Sequence, residues 1–339
     1  MKAPLILATA LVLLTVLHAE PVRLIFDTDM GNDIDDAMAL AMIHNLEKRG
    51  ACELLAVTST KDHPKSAAFI DALNTFYGRP DIPIGVVRDG VTPALGKYLG
   101  LADKTHADGT LVYPHDLRSG EDAPEAVALL RKTLAAQPDR SVTIVQVGFF
   151  TNLSRLLKSA PDEYSDLAGP ELVERKVKAL VIMAGAFQTI RDNTRYLEYN
   201  VRLDIPSAQE FTKNWTAPLI WSGFEIGIAA AYPWQSIMED YEYLENHPIK
   251  EGYLDYAPRQ PHDRPTWDLT AVLAAVYPDR GYFDLSAPGT VTVEDDGATR
   301  FDPDPNGLHH FLKMSAGQTE RVREACVMLC VEPPHRNEG

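Results

Sequence analysis

The sequence predicts an α/β protein with a single domain, built on a Rossmann-like open sheet that is mostly parallel and covered by helices on both faces. Short apolar runs, typical of buried strands, alternate with segments of helical periodicity from residue 22 to about residue 276. Polar residues accumulate directly after several of these runs, where open α/β sheets bind ligands. Because the sequence shows no internal repeat, low-complexity tract or linker, one domain is favoured over two.

The elements follow in chain order from this alternation. Strands are predicted over residues 22–26, 53–60, 82–87, 141–147, 176–184 and 219–222. Helices are predicted over residues 37–46, 66–76, 124–136, 151–158, 206–214, 234–245, 266–276 and 320–330. Residues 282–301 are predicted to form two or three short antiparallel strands. The long segment 88–122 lacks periodicity, which is typical of a lid or a binding loop.

The first residues have the pattern of a secretory signal peptide. Lys2 precedes an uncharged apolar run that ends at Leu17, and His18, Ala19 and Glu20 follow before Pro21. We therefore expect cleavage after Ala19, a folded domain over residues 20–339, and a secreted or periplasmic protein. An uncleaved membrane anchor is the alternative, although the run is short for a membrane span.

Charge and cysteine content exclude several classes of protein. The formal net charge of −16 argues against nucleic acid or an anionic membrane as a partner. The three cysteines, Cys52, Cys326 and Cys330, form no disulfide framework and no zinc-binding spacing. Cys326 and Cys330 share one face of a predicted helix, where packed thiols are favoured and a disulfide stays possible in an exported protein.

An acidic loop follows the first predicted strand and is the strongest functional signal in the chain. It carries five aspartates within ten residues, namely Asp27, Asp29, Asp33, Asp35 and Asp36. Carboxylates at this density repel one another, so a folded protein needs a cation to compensate them. Hard oxygen ligands favour Ca²⁺ or Mg²⁺. The loop therefore predicts a divalent cation at the carboxyl end of the sheet.

Further polar residues fall at the ends of later strands. They are Asp62 and His63, then Thr151 and Asn152, then Asp192, Asn193, Glu198 and Asn200, then Glu225, with Asp268 at the start of a later helix. Carboxylates and amides with few lysines or arginines suit a neutral polyhydroxylated ligand together with a cation. A phosphate ligand is disfavoured, because it needs a glycine-rich cradle, lysine or arginine.

These residues resemble the signature of the calcium-dependent nucleoside hydrolases (inosine-uridine type N-ribohydrolases). The stretch DTDMGNDIDDAMAL is similar to the family's usual Asp-x-Asp-Pro-Gly-x-Asp-Asp-Ala, with Met30 in place of proline and two extra residues. Later segments also match in order: VGFFTNL at 147–153, LVIMAGAF at 180–187, LEYN at 197–200 and WDLTAVL at 267–273. The resemblance implies the nucleoside hydrolase fold and hydrolysis of an N-glycosidic bond.

The resemblance implies a metal site and a catalytic base. Asp29 would contact Ca²⁺ and act as the general base on the attacking water. Asp36 and Asp268 would be carboxylate ligands of the ion, and Val147 would be a ligand through its backbone carbonyl. Calcium suits this role because its high coordination number accommodates two sugar hydroxyls and a water together.

The resemblance also implies contacts to the sugar. Asp35, Glu198 and Asn200 would hydrogen-bond to the ribose hydroxyls. Asn193, or Asp192 if the alignment gap falls differently, would reach the side of the 5′-hydroxyl or 3′-hydroxyl. A ring of carboxylates and amide oxygens suits the positive charge that develops on ribose as an N-glycosidic bond breaks.

Two positions depart from the family pattern. After the second strand the family usually has an asparagine that contacts ribose, and here His63 or Asp62 takes that position. Before the last metal ligand many members have a histidine that protonates the leaving base, and here the residue is Trp267. An indole is no acid at neutral pH, so we expect Trp267 to stack on a purine, and pyrimidine substrates are disfavoured. The roles of Asp33, His106, His115 and Glu225 stay open.

Two other functions compete with this hypothesis. In an aspartyl-phosphate phosphatase Asp27 would be the nucleophile and Asp29 the acid/base, but Gly31 stands where that motif needs Thr or Val. In a secreted calcium- or sugar-binding module the loop would hold the ion alone, but Met38 stands where a calcium loop ends in Glu. We therefore predict a Ca²⁺-dependent hydrolase of purine nucleosides, which the resemblance implies is a homodimer or homotetramer.

Overall fold

A ten-stranded sheet runs through the computed structural model, which describes residues 20–334. The signal peptide predicted for residues 1–19 lies outside this range. The strands are β1 (Val22–Thr28), β2 (Cys52–Lys61), β3 (Ile84–Val91), β4 (Val142–Gln146), β5 (Val177–Met183), β6 (Leu219–Ser222), β7 (Asp284–Leu285), β8 (Gly289–Val293), β9 (Thr299–Pro303) and β10 (His309–Lys313).

The strand order locates the ligand-binding edge of the sheet. The order is β3-β2-β1-β4-β5-β6-β10-β8-β9, and β7 pairs with β10. Strands β1 to β6 and β10 pair in parallel, whereas β8 and β9 form an antiparallel extension. The chain leaves β1 first toward β2 and β3, and later returns to its other side with β4. This reversal opens a crevice at the carboxyl ends of β1 and β4.

Helices cover both faces of the sheet. They are α1 (Asp35–Lys48), α2 (Pro64–Phe76), α3 (Ala126–Ala135), α4 (Thr151–Lys158), α5 (Gly169–Lys176), α6 (Tyr199–Leu203), α7 (Ile205–Asn214), α8 (Phe224–Ala229), α9 (Trp234–Glu239), α10 (Pro248–Tyr256), α11 (Trp267–Val276) and α12 (Ala316–Cys330). Within the described residues, no helix is both long and apolar enough to cross a membrane.

Each face of the sheet has its own apolar core. Successive residues of β1 alternate between them, because Leu24 and Phe26 pack with α1, α2, α11 and α12, whereas Ile25 packs with α3, α4, α5 and α7. Helix α1 is buried on almost every side, which explains its apolar run from Ala37 to Ile43. The mostly parallel, doubly covered sheet confirms the predicted fold class.

Some elements differ from those predicted. Helices α5, α6, α8 and α10 were not predicted; each has only five to nine residues, which gives a weak helical period. The helix predicted over residues 234–245 ends at Glu239. Strand β10 extends the sheet in parallel with β6, although only antiparallel strands were expected in this region and only up to residue 301. Its sequence, HHFLK, lacks the apolar run of a buried strand.

The cysteines are free thiols. Cys52, Cys326 and Cys330 are all buried, and Cys330 Sγ donates a weak hydrogen bond to the carbonyl of Met38 at 3.5 Å. Cys326 and Cys330 are therefore packed thiols in this structure and do not form a disulfide with each other. Cys330 thus links α12 to α1.

Candidate active site

A cavity of about 310 Å³ opens at the carboxyl ends of β1, β4 and β5. Its walls come from the acidic loop, the β4–α4 turn, the segment before α6, and the starts of α8 and α11. Eight of the predicted site residues line this cavity, namely Asp29, Asp35, Asp36, Val147, Glu198, Asn200, Trp267 and Asp268. The structure thus brings together side chains that are up to about 240 residues apart in the chain.

Three carboxylates form the centre of the site. Asp35 and Asp36 occupy the first turn of α1, and Asp268 occupies the first turn of α11. One oxygen from each lies within 4.8 Å of the others, and all three residues are buried. The backbone N–H of Asp268 donates to Asp35 Oδ2 at 3.2 Å, which joins the two helix starts. Both helices direct the positive ends of their dipoles at this trio.

The trio is chemically suited to a hard divalent cation. Burial raises the pKa of Asp35, Asp36 and Asp268 well above the usual range, and the neighbouring aspartates raise it further. Asp36 Oδ1 accepts a hydrogen bond from Thr28, whereas Asp36 Oδ2 is buried and has no hydrogen-bond partner among residues 20–334. An unpartnered buried carboxylate oxygen is costly unless a cation compensates it. These three residues therefore fit a hard divalent cation such as Ca²⁺ or Mg²⁺.

Val147 and Asn200 adjoin the trio. The side-chain amide of Asn200 donates to the Val147 carbonyl at 2.9 Å and to the Met183 carbonyl at 3.1 Å. Since both amide hydrogens are used in this way, Asn200 can present only its Oδ1 to a ligand in the cavity. The Val147 carbonyl has a second lone pair, so its hydrogen bond with Asn200 is compatible with the predicted role as a ligand.

Asp29 lies beside the trio in a network of its own. Asn32 Nδ2 donates to Asp29 Oδ2 at 2.6 Å, and Lys61 Nζ donates to Asn32 Oδ1 at 2.7 Å and to the Thr92 carbonyl at 3.0 Å. Burial raises the pKa of Asp29, whereas the hydrogen bond from Asn32 and the charge of Lys61 lower it. The pKa of Asp29 is raised overall, because burial outweighs the network; the network fixes the orientation of the carboxylate and offsets part of this rise.

Glu198 caps the short helix α6. Its carboxylate accepts hydrogen bonds from the backbone N–H groups of Asn200 at 2.8 Å and of Gly185 and Val201 at 3.1 Å each. Burial nevertheless raises the pKa of Glu198 to about 7. The cap holds Asn200 in place. Oε1 accepts only from Asn200 and keeps a lone pair for a ligand, whereas Oε2 accepts both other hydrogen bonds.

Two buried features allow the acidic loop to approach β4. Asp27 is fully buried and accepts hydrogen bonds from Thr58 at 2.6 Å and Asn152 at 2.8 Å, which ties β1 to β2 and α4. Burial raises its pKa to about 7 despite these bonds. Gly148 packs so closely on the loop that a Cβ would lie 2.6 Å from the Asp29 backbone nitrogen. Only glycine allows this approach.

An aromatic wall closes one side of the cavity. The rings of Trp267 and Phe224 have centroids 5.1 Å apart, and Tyr196 stacks on Phe224 at 4.1 Å. Trp267 Nε1 donates to the Phe224 carbonyl at 2.9 Å, so its indole N–H is used within the wall. Among the described residues that line the cavity, none is a histidine.

Two predicted contact residues do not line the cavity. The ring of His63 caps α2, where Nδ1 accepts from the Lys65 backbone N–H at 3.1 Å. Asn193 is exposed, and its Oδ1 accepts from the Arg195 backbone N–H at 2.8 Å. The geometry gives neither residue the ribose contact that was expected, and the alternatives Asp62 and Asp192 also lie outside the cavity lining.

The long segment after β3 braces the acidic loop instead of entering the cavity. Buried Tyr98 accepts at its hydroxyl from the Gly31 backbone N–H at 2.8 Å and donates to the Asp33 carbonyl. His106 is exposed, and His115 is buried with its Nδ1 2.7 Å from the Tyr113 carbonyl. Neither histidine lines the cavity, which differs from the expected lid.

Sequence patterns missed several residues of the cavity. Asn32, Tyr196, Phe224, Tyr256 and Arg264 line it, and Lys61 contacts it through Asn32. Asp33, whose role was left open, also lines it. Lys61 lies two residues before the predicted His63. Strand β2 extends to Lys61, its pairing with β3 is irregular between Ser59 and Lys61, and the Lys61 side chain reaches Asn32 of the loop. Arg264 lies three residues before Trp267. A cation this close to the predicted stacking residue was the sequence signal that could have identified Arg264 as part of the site.

The buried carboxyls predict how pH affects the metal-free protein. The pKa is raised to about 7 for Asp27 and Glu198, and it is raised well above the usual range in the trio. Between the unfolded pKa of about 4 and these native values, the native state binds more protons than the unfolded state. These carboxyls therefore lower the free energy of unfolding as pH rises through this window, and they outnumber His44, His247 and His309, whose lowered pKa values act in the opposite direction.

We expect the metal-free protein in EDTA to have a higher Tm at about pH 5.5 than at about pH 7.5. Calcium should raise the Tm more at the higher pH, because protons compete with the ion for the same carboxylates. Differential scanning fluorimetry with EDTA or Ca²⁺ at both pH values measures this. A metal-free Tm that rises between these pH values would contradict the assigned shifts.

Solved structures share this architecture. A plant nucleoside hydrolase, PpNRh1, superposes with a TM-score of 0.69 at 21% identity, covering 92% of this chain and 100% of that chain. The purine-preferring ribonucleoside hydrolase from Gardnerella vaginalis superposes with a TM-score of 0.68 at 18% identity, covering 91% and 98%. The chain therefore has the α/β fold of these nucleoside hydrolase structures.

The family follows from the sequence comparison. The profile described as inosine-uridine preferring nucleoside hydrolase matches residues 24–331. The chain therefore belongs to the inosine-uridine preferring nucleoside hydrolase family, which confirms the predicted resemblance. Among curated relatives, the pyrimidine-specific ribonucleoside hydrolase RihA of Citrobacter koseri is 29% identical over 205 residues. That match spans only 60% of this chain and 60% of the relative.

Proposed function

We propose that this protein hydrolyses the N-glycosidic bond of ribonucleosides, releasing the free base and ribose, with Ca²⁺ in the site. One observation carries the proposal. The buried trio Asp35, Asp36 and Asp268 lies in the same cavity as Asp29 and Asn200, so a cation site, a base and a sugar-binding amide share one space. Family membership supports this interpretation.

The chain's own residues divide the work. Asp29 accepts a proton from the attacking water, while Asn32 and Lys61 hold its carboxylate in place. Asn200 Oδ1 and the carboxylates of Asp35 and Glu198 accept hydrogen bonds from ribose hydroxyls. Bound Ca²⁺ would supply positive charge that orients the sugar and the water.

The same groups stabilise the reacting sugar. As the bond to the base breaks, the ribose ring develops oxocarbenium character. Carboxylates that are buried and already oriented stabilise such charge without having to reorganise. Burial, which raises the pKa of Glu198 to about 7, thus places a strong acceptor at the sugar.

A purine base is favoured by the aromatic wall. Trp267 and Phe224 offer extended ring surface, and none of the described cavity-lining residues is a histidine that could protonate a pyrimidine. Stacking in a desolvated wall suits the larger base. The name of the RihA relative points to pyrimidines for that protein, so the base preference needs a direct test.

The phosphatase alternative has a geometric difficulty. Its nucleophile would be Asp27, which is fully buried, bound by Thr58 and Asn152, and absent from the described cavity wall. A nucleophile must reach its substrate. The geometry therefore favours the hydrolase.

A reducing-sugar assay across nucleosides tests the proposal. We expect inosine, guanosine and adenosine to release ribose faster than uridine and cytidine, and EDTA to abolish release in a way that added Ca²⁺ reverses. p-Nitrophenyl phosphate is the control and should not be hydrolysed. If no nucleoside releases ribose with any divalent ion, the hydrolase proposal fails; if only uridine and cytidine do so, the purine preference fails.

We also infer that the protein is exported and forms a homodimer or homotetramer. The amino-terminal pattern of Lys2 and the apolar run to Leu17 supports export, and the family resemblance supports an oligomer. Cell fractionation and light scattering of the purified protein measure these two properties.

A further inference from the structure

An ion pair lies over the aromatic wall at the mouth of the cavity. Asp33, from the two-residue extension of the acidic loop, accepts from Arg264 Nε at 2.9 Å and from Arg264 Nη2. Tyr256 joins them, since its hydroxyl donates to Asp33 Oδ2 at 3.1 Å and accepts from Arg264 Nη2 at 3.0 Å. The guanidinium is therefore oriented by two partners on one side.

The backbone of Arg264 is equally constrained. Its N–H donates to the Tyr232 carbonyl at 3.0 Å, and its carbonyl accepts from the Tyr232 N–H at 2.7 Å. The guanidinium carbon lies 5.2 Å from the centroid of the Trp267 ring and 4.8 Å from that of Tyr256. Arg264 is thus a preorganised cation beside the surface on which a base would stack.

One part of this guanidinium remains free to bind a ligand. Nε and Nη2 are used by Asp33 and Tyr256, whereas Nη1 donates no hydrogen bond within residues 20–334. Arg264 is part of the cavity lining, and an arginine can only donate hydrogen bonds. A ligand at this point must offer an acceptor, such as a ring nitrogen or a carbonyl oxygen of a base.

We propose that Arg264 is a catalytic residue that stabilises the leaving base through hydrogen bonds from Nη1, and that Asp33 is its positioning residue. This inference rests on the proposed hydrolase function. The bond between C1′ and the base nitrogen breaks, and its electron pair leaves with the base. The water oxygen bonds to C1′ and gives its proton to Asp29. The base takes its proton from solvent, while Arg264 keeps all of its own.

The physical reason is charge. A purine that leaves without a proton carries a full negative charge, which the aromatic wall alone cannot neutralise. A guanidinium already held in place can stabilise this charge as it develops. Such a contact replaces a proton donor, and no described residue of the cavity wall is a histidine that could act as one.

Substrates with different leaving groups separate this role from a structural one. Nitrophenolate is a stable anion that needs little stabilisation, so p-nitrophenyl β-D-ribofuranoside is the reference substrate beside inosine. Arg264→Gln should lower kcat on inosine by about 100-fold and change kcat on the nitrophenyl riboside by less than about threefold. The double variant D33N/R264Q removes both partners of the ion pair, so no charge is left unpaired. It should show the same large loss of kcat on inosine and the same small change on the nitrophenyl riboside.

Arg300→Gln is the matched control, because Arg300 also pairs with carboxylates but lies on the exposed β9 strand. It should leave both rates unchanged. An equal loss on both substrates in R264Q and the double variant, or no loss on inosine, would overturn the role of Arg264. A wild-type protein that cleaves neither substrate with Ca²⁺ would overturn the hydrolase function itself, and this inference with it.

Discussion

Asp268→Asn should lower ribose release from inosine by about 10³-fold or more and abolish the rise in Tm that Ca²⁺ causes. The substitution keeps the shape of the side chain but removes one of three buried carboxylates whose oxygens lie within 4.8 Å of one another. A hard cation depends on charged oxygen ligands, so the loss should appear in binding as well as in rate. Isothermal titration calorimetry with Ca²⁺ and the reducing-sugar assay measure the two effects.

The stability of the metal-free D268N variant should change in the opposite direction from its activity. In EDTA at neutral pH, D268N should be at least as stable as the wild type, because burial and the charges of Asp35 and Asp36 raise the pKa of Asp268 well above its usual range. Removing this charge relieves the repulsion. A less stable metal-free variant that still binds Ca²⁺ would show that Asp268 only stabilises the first turn of α11 and is not a ligand.

Glu225→Gln is the matched control for the carboxylate chemistry. Glu225 is also a carboxyl whose pKa burial raises, to about 7, but it does not line the cavity and accepts from the Phe187 backbone N–H at 3.2 Å. Its substitution should leave Ca²⁺ affinity unchanged. If E225Q and D268N lost Ca²⁺ equally, general destabilisation and not ligation would explain both.

The core of the fold was predictable because local and global signals agree there. Strand β1 is an apolar run that the sheet buries on both faces, and the aspartates after it interrupt that run at the edge where ligands bind. Strand β10 was not predictable, because its polar residues owe their place in the sheet to pairing with β6, about 90 residues earlier in the chain. Non-local pairing of this kind leaves little local pattern.

The site divides in the same way. Asp29, Asp36 and Asp268 were predictable because each follows a strand or starts a helix, where short polar residues carry positional meaning. The ion pair between Arg264 and Asp33 was not predictable, because 231 residues separate the two and the segment before α11 has no periodicity. Polar networks between irregular segments depend on the tertiary fold, so they are where sequence patterns give least information.

Asp29→Asn should lower kcat on inosine by about 10²- to 10⁴-fold, the usual effect of removing a general base. The protein should still fold, because Asn32 Nδ2, held by Lys61 through Asn32 Oδ1, can donate to the new amide oxygen as it donates to Asp29 Oδ2 at 2.6 Å. Since Asp29 is also a predicted Ca²⁺ ligand, kcat must be measured at saturating Ca²⁺. Calorimetry then separates weaker binding from lost chemistry.

The pH profile distinguishes a base from a group that only binds. A general base works in its ionised form, so kcat of the wild type should fall as pH drops through the pKa of Asp29, which burial raises and Asn32 and Lys61 lower. In D29N this decrease of kcat at low pH should disappear, because asparagine does not titrate, and a low rate independent of pH in this range should remain. If the variant binds Ca²⁺ and turns over inosine at the wild-type rate, Asp29 is not the base. If the decrease at low pH survives at a reduced rate, another carboxyl accepts the proton, and Asp35 on the same cavity wall is a candidate.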